Sequence, residues 1–342
     1  MCLSVLSRVL VVLVVAAGAL GAQPKGKLAP KPLFRDPVHD GAADPVLVWN
    51  WGEKKWFMFY TNRRANLREA AGVSWVHGTR IGIAESADGG ATWKYRGTAE
   101  IDYGKPDYTH WAPDIVDDGK QYHMYLSVVP GIFENWNAPR EIVHLTSNNL
   151  LKWKYESTLE LGSDRVIDAT VCRLGEGKWR LWYKDERDQS HIHYAGSPDL
   201  YHWTRAGVAI SDRSGEGAKV FRWKNRYWMI TDIWKGLSVF SSDDATKWTA
   251  QPAPILAEPG QTPTDRQKGQ HADVVVNGDR AFIFYFTHQA GADADPKDPT
   301  WHRRTLIQVA ELEYKDGLLT CDRNKPTYVR LRPPGKRRGI TP

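Results

Sequence analysis

Ala43-Asp44-Pro45-Val46-Leu47-Val48, the turn Trp49–Lys55 and the return Trp56-Phe57-Met58-Phe59-Tyr60 decide the fold. An acidic residue opens an apolar strand, a Gly-containing turn reverses it, and an aromatic strand comes back. The unit recurs with openings at Trp111-Ala112-Pro113-Asp114, Val166-Ile167-Asp168-Ala169, Gly215-Glu216-Gly217-Ala218 and Gln270-His271-Ala272-Asp273, five copies in all. Each copy offers about four short strands separated by turn residues, at a spacing of roughly 45–70 residues. Helical periodicity is almost absent. The pattern predicts an all-β protein, a five-bladed β-propeller of four-stranded antiparallel blades around a central channel. The blades are expected near residues 40–100, 108–158, 164–207, 213–252 and 268–325.

In such a meander the first strand of each blade lies nearest the axis, so the five openings converge on one mouth of the channel. Asp44, Asp114, Asp168, Glu216 and His271 are expected to meet there. A ring of buried carboxylates is costly and self-repelling, which argues for chemistry rather than stability. The loops between second and third strands converge on the same mouth. They bring Arg63 and the long, Arg-rich stretch 61–80, then Trp136 and Trp234, whose rings suit the faces of sugars. The loops 61–80 and 289–304 are placed to wall off a pocket. The turns Ser86–Trp93, Ser147–Trp153, Ser197–Trp203 and Ser242–Trp248 echo one another and resemble the Asp-box turn of sialidase-type propellers, a feature of fold rather than chemistry. His191 and His193 are expected to alternate across a strand rather than bind metal.

Among the 342 residues, 16 Trp and 14 Tyr stand out against 3 Cys and 4 Met. The formal charge of +6 forms no basic stripe, and nucleic acid is not an expected partner. Residues 1–22 read as a signal peptide: Arg8, the apolar run Val9–Ala17, then small residues suited to cleavage. A secreted or periplasmic, soluble, monomeric product spanning 23–342 is expected, with no membrane contact after cleavage. Cys172 and Cys321 then remain, and unpaired thiols are favoured over a disulfide.

At these same residues the chain resembles glycoside hydrolase family 43 and its five-bladed relatives. Ala43-Asp44-Pro45 is similar to the family's general-base motif, and His110-Trp111-Ala112-Pro113-Asp114 to its second-blade signature. Ile167-Asp168-Ala169 and Glu216-Gly217-Ala218 are similar to the motifs of the third carboxylate and the general acid, and Gly269-Gln270-His271 to the fifth-blade histidine. Ala169 and Ala218 stand where the family usually has Pro. The resemblance implies a glycosidase of arabinofuranosidase, xylosidase or galactosidase type acting on a plant or algal oligo- or polysaccharide. It implies that Asp44, Asp168 and Glu216 are catalytic and that Asp114, His110, Trp111 and His271 hold substrate, where Arg63, Trp136 and Trp234 of the converging loops are expected to join them. No cofactor is required, though the resemblance allows calcium or sodium in the channel near His271.

Glycoside hydrolysis needs one carboxylic acid at the leaving oxygen and one carboxylate across the sugar. Asp44 and Glu216, on non-adjacent blades, fit that demand, with Asp168 tuning the acid. An exo-acting, inverting enzyme is the expectation. A non-catalytic carbohydrate-binding propeller, or a retaining glycosidase or phosphorylase on the same scaffold, stays open.

Overall fold

The computed structural model describes residues 26–289 and 297–335. The signal-peptide stretch 1–22, the basic tail 336–338 and part of the loop 289–304 lie outside the described residues. Each sequence copy folds as an antiparallel sheet taken in chain order. Blade one is Ala42–Asn50, Lys55–Asn62, Arg80–Ser86 and Lys94–Thr98. Blade two is Thr109–Asp117, Tyr122–Val129, Glu141–Ser147 and Lys152–Thr158, and blade three is Val166–Gly175, Lys178–Asp185, His191–Ser197 and Thr204–Ile210. Blade four is Glu216–Trp223, Arg226–Asp232, Leu237–Ser242 and Thr249–Ala250; blade five is Gln270–Asn277, Arg280–His288, Thr305–Lys315 and Leu318–Cys321. The five first strands touch in a closed ring, which makes the molecule a five-bladed propeller. Among the described residues no helix is long and apolar enough to cross a membrane.

The apolar faces pack between neighbouring blades. Phe57 and Phe59 of blade one meet Met124, Leu126 and Trp153 of blade two, with the Phe59 ring edge-on to Trp153 at 6.0 Å. Between blades two and three, Tyr125 packs with Leu181, Tyr183 and Leu200. The outer turns work as their sequence suggests. Asp88, Asn149, Asp199 and Asp244 accept hydrogen bonds from backbone amides of their own turns. Trp93, Trp153 and Trp203 each return an indole N–H to the carbonyl three residues before.

The ring closes through the chain ends. Phe34 pairs with Ile307 and Gly41 with Thr305, fastening the leading segment to blade five. Lys27–Leu28 pairs antiparallel with Tyr328–Val329, and Leu331 donates to the Gly89 carbonyl of blade one. Phe34, Val329 and Leu331 are buried in the core shared by blades one and five. Cys172 and Cys321 are unpaired.

Every first strand carries a bulge near its opening. Pairing skips from Ala43 to Val46, from Trp111 to Asp114, from Ile167 to Thr170, from Glu216 to Lys219 and from Gln270 to Asp273. In four blades the first skipped residue has positive φ: Asp44 at 52°, Ala112 at 40°, Asp168 at 59° and Gly217 at 57°. Such a bulge swings a side chain out of the alternation of the strand. It therefore decides what faces the pocket.

Candidate active site

The pocket at the mouth of the channel encloses about 400 Å³ and is lined by residues of all five blades. Asp44 and Asp168 reach it from their bulges, and both carboxylates are buried. Asp is among the few residue types that accept positive φ readily, since its short polar side chain bonds locally. Glu216 arrives from the paired position just before its bulge. His271 stands between them, its Nδ1 3.4 Å from Asp44 Oδ1 and 4.0 Å from Asp168 Oδ2. Gly217 allows this: a Cβ there would lie 2.6 Å from the His271 ring.

The bulge amides are held by the neighbouring blade. Ala112 N–H donates to Thr61 Oγ1 at 2.8 Å and Asp168 N–H to Ser127 Oγ at 2.9 Å. Gly217 N–H donates to Asp168 Oδ2 at 3.0 Å and His271 N–H to Asp232 Oδ2 at 3.2 Å. Blades one to four thus each hold the bulge of the blade that follows.

Burial would lower the His271 pKa, but Asp44, Asp168, Glu216 and Asp232 outweigh it and raise it. Burial pushes Asp168 up to about 6; His271 opposes that rise, while the charge of Glu216 adds to it. Asp232 is likewise raised to about 6, by burial first and then by Glu216. Arg63 lies 3.5 Å from Asp44 and over the Phe286 ring. Glu216 accepts from Lys184 Nζ at 2.8 Å on one oxygen and from the Trp234 indole at 2.8 Å on the other. Lys184 also lies 3.2 Å from Glu186, which in turn pairs with Arg140 at 3.0 Å.

Aromatic surfaces flank these charges. Trp136 and Trp234 are half-exposed, at 50% and 39%. Trp111 is buried, donates to the Val76 carbonyl and packs against Trp136 at 6.0 Å. The insert 61–80 closes one side: Arg303 donates to the Leu67 carbonyl and covers Trp75, while Val73 donates to Glu134.

No sequence-family profile matches the chain, and no curated protein matches it in sequence. Solved structures do match in shape. A thermostable family 43 glycoside hydrolase superposes with a TM-score of 0.60 over 90% of this chain and 100% of its own, at 17% identity. A family 43 β-1,3-galactosidase with galactodeoxynojirimycin gives 0.61 over 86% and 98%, at 15% identity. A family 43 β-xylosidase/α-arabinofuranosidase from a compost microbial metagenome, in complex with xylotriose, gives 0.61 over 86% and 97%, at 14% identity. The chain shares the fold of family 43 glycoside hydrolases.

On that fold, Asp44, Asp168, Glu216, His271, Arg63, Trp111, Trp136 and Trp234 all line the pocket, whereas Asp114 and His110 do not. Asp114 sits beyond its bulge, two positions after Ala112, and its carboxylate accepts from Lys219 at 2.9 Å and Val171 N–H at 2.7 Å. Ala112, not Asp114, occupies the place of Asp44 and Asp168. The five bulges share one register, but the five residues expected to converge do not: Asp44, Asp168 and His271 stand in the bulge, Glu216 just before it and Asp114 just after. His110 fails for a simpler reason: strand alternation sends it to the face opposite Trp111. It is buried, and burial first, then Arg80, lowers its pKa to about 3. His191 and His193 do not alternate across the strand either; both ring nitrogens approach Asp188 on one side, at 3.3 and 2.8 Å. Lys184 and Glu186 stood in the sequence beside the pocket loops, but nothing there marked Lys184 as the partner of Glu216.

Proposed function

We propose that the protein is a glycoside hydrolase in which Asp44 is the general base, Glu216 the general acid and Asp168 their modulator. One observation carries this reading: three carboxylates from blades one, three and four border a single pocket rimmed by two half-exposed Trp rings. Asp44 takes a proton from water as the water oxygen bonds to the anomeric carbon. The glycosidic bond breaks, and Glu216 gives its proton to the departing oxygen. Inversion requires roughly 6.5–9.5 Å between the two carboxyl groups, room enough for that water. His271 and Arg63 flank the Asp44 carboxylate and orient it, and the Trp rings cover faces of the bound sugar. The wall built by the insert 61–80 suits exo attack on arabinofuranoside, xyloside or galactoside termini of a plant or algal glycan, by an exported monomer.

Lys184 constrains the acid. Its ammonium bridges Glu216 and Glu186; burial would lower the Lys184 pKa, but Glu216, Glu186 and Asp168 outweigh it and raise it, so a full positive charge stays beside the acid. The same contact favours the second reading, a carbohydrate-binding propeller that turns nothing over. Product release from chromogenic pentosides and galactosides, measured for the wild type, Asp44→Asn and Glu216→Gln, separates the two. Each substitution is expected to lower turnover about a hundred- to ten-thousand-fold with folding intact. Near wild-type rates in either variant would refute the assignment, and oligosaccharide binding without any release would establish the second reading.

A further inference from the structure

Beneath the pocket the channel carries a second layer, formed by the residues that follow each bulge: Val46, Asp114, Thr170, Lys219 and Asp273. Lys219 extends from blade four and ends 2.9 Å from Asp114 Oδ1 of blade two and 2.8 Å from Asp273 Oδ1 of blade five. Its side chain is largely withdrawn from solvent, and both carboxylates are more so. Their remaining oxygens are taken as well: Asp114 Oδ2 accepts from Val171 N–H and Asp273 Oδ2 from Leu47 N–H, at 2.7 and 2.8 Å. Burial opposes the charge on Lys219, but Asp114 and Asp273 more than offset it and raise its pKa.

The calcium or sodium ion implied near His271 by the family resemblance does not fit this channel. Calcium asks for six to eight oxygen ligands. Here three of the four axial carboxylate oxygens are hydrogen-bonded, and the fourth, Asp273 Oδ1, faces the Lys219 ammonium at 2.8 Å, so an ammonium stands where the ion would sit. In the layer above, His271 and Arg63 face Asp44, and His271 faces Asp168 too. A metal ion would meet positive groups in both layers.

We propose that Lys219 is the axial cation of this propeller, doing for blades two, four and five what a bound metal would do, so that the fold requires none. Three blades that are not all neighbours are tied through one ammonium. Removing it leaves Asp114 and Asp273 as two buried carboxylates facing each other without a counter-charge, a geometry that repels itself and attracts a divalent cation.

The test is thermal unfolding of the wild type, Lys219→Ala and Lys219→Ala/Asp273→Asn, each with chelator and with calcium in excess, together with calorimetric titration of calcium alone. The wild type is expected to unfold at one temperature in both media and to take up no calcium in the channel. Lys219→Ala is expected to lose about 5 °C or more in chelator and to recover part of it with calcium. The added Asp273→Asn change is expected to abolish that recovery. Should Lys219→Ala not fold, Lys219→Arg and Lys219→Met serve instead, the first staying near the wild type and the second falling below it. A wild type whose unfolding temperature drops in chelator and returns with calcium would overturn the proposal. So would a Lys219→Ala protein as stable as the wild type, one indifferent to calcium, or equal behaviour of the Arg and Met variants. None of these readouts depends on glycosidase activity, so failure here leaves the proposed function standing, and the reverse.

Discussion

Glu216 is held by an ammonium and an indole at once, and that pair of contacts sets what the residue can do. Lys184→Met removes the ammonium from one Glu216 oxygen and leaves the Trp234 indole on the other. Release from a chromogenic glycoside is then expected to fall about tenfold or more with the fold intact, because the carboxyl loses one of its two fixed contacts. Unchanged release would show that Lys184 does not position Glu216. Asp168 yields a second expectation. Its pKa rises from 3.8 to about 6 on folding, so between those values the native state binds more protons than the unfolded chain. Stability contributed by this group therefore falls as pH rises through that window, and the penalty is complete above about pH 6. Asp168→Asn escapes it. That variant is expected to gain on the wild type between about pH 4 and pH 7, by up to about 3 kcal/mol. A difference in unfolding free energy that is equal at both pH values would contradict this. The acids themselves were legible in the sequence, because an Asp, Glu or His opening an apolar strand is visible in any copy. Their depth was not. Whether a strand opening bulges before or after its acid depends on pairing with the return strand, and Asp114 fell on the far side of that line.

Turns and hairpins were the most legible elements. Ser86–Trp93 and its echoes read as turns because a Ser, a short polar side chain two residues on and a Trp four or five residues after that recur; the polar side chain holds the turn in all four, and the indole N–H returns to it in all but the Trp248 copy. The copies differ in what each is asked to hold. Asp88 binds Thr92 twice, accepts from Ser86 and meets Lys27 of the leading strand at 3.0 Å. Asp199, by contrast, serves its own turn, through the amides of Tyr201 and His202 and the His202 ring. Asp88→Ala is expected to cost about 2 kcal/mol in chemical denaturation and Asp199→Ala about 1 kcal/mol. Equal costs would mean that the link to Lys27 adds nothing. The sequence was silent on Glu100–Asp102, which lies parallel along the outer strand of blade two. Three residues with charge at both ends carry no period to read.

For the whole molecule, five blades were countable in the sequence, while the closure was not. Lys27–Leu28 and Tyr328–Val329 are two residues each, too short for any pattern, and their meaning comes only from the partner across the seam. Val329 and Leu331 nonetheless sit in the core between blades one and five. Val329→Asp puts a charge into that core and is expected to lower unfolding free energy by about 3 kcal/mol or more, read by denaturant titration. A loss under about 1 kcal/mol would show that the seam holds without its C-terminal strand. The hand-over of bulge amides from one blade to the next has a consequence for order in time. Asp44 is among the earliest of the site residues to be synthesised, but the histidine beside it arrives some two hundred residues later, at His271. His271 is in turn held by Asp232, and the last clasp of the ring, Val329, is later still. A chain that stops short of His271 lacks one wall of the pocket, so the site cannot be complete before the first strand of blade five has been made.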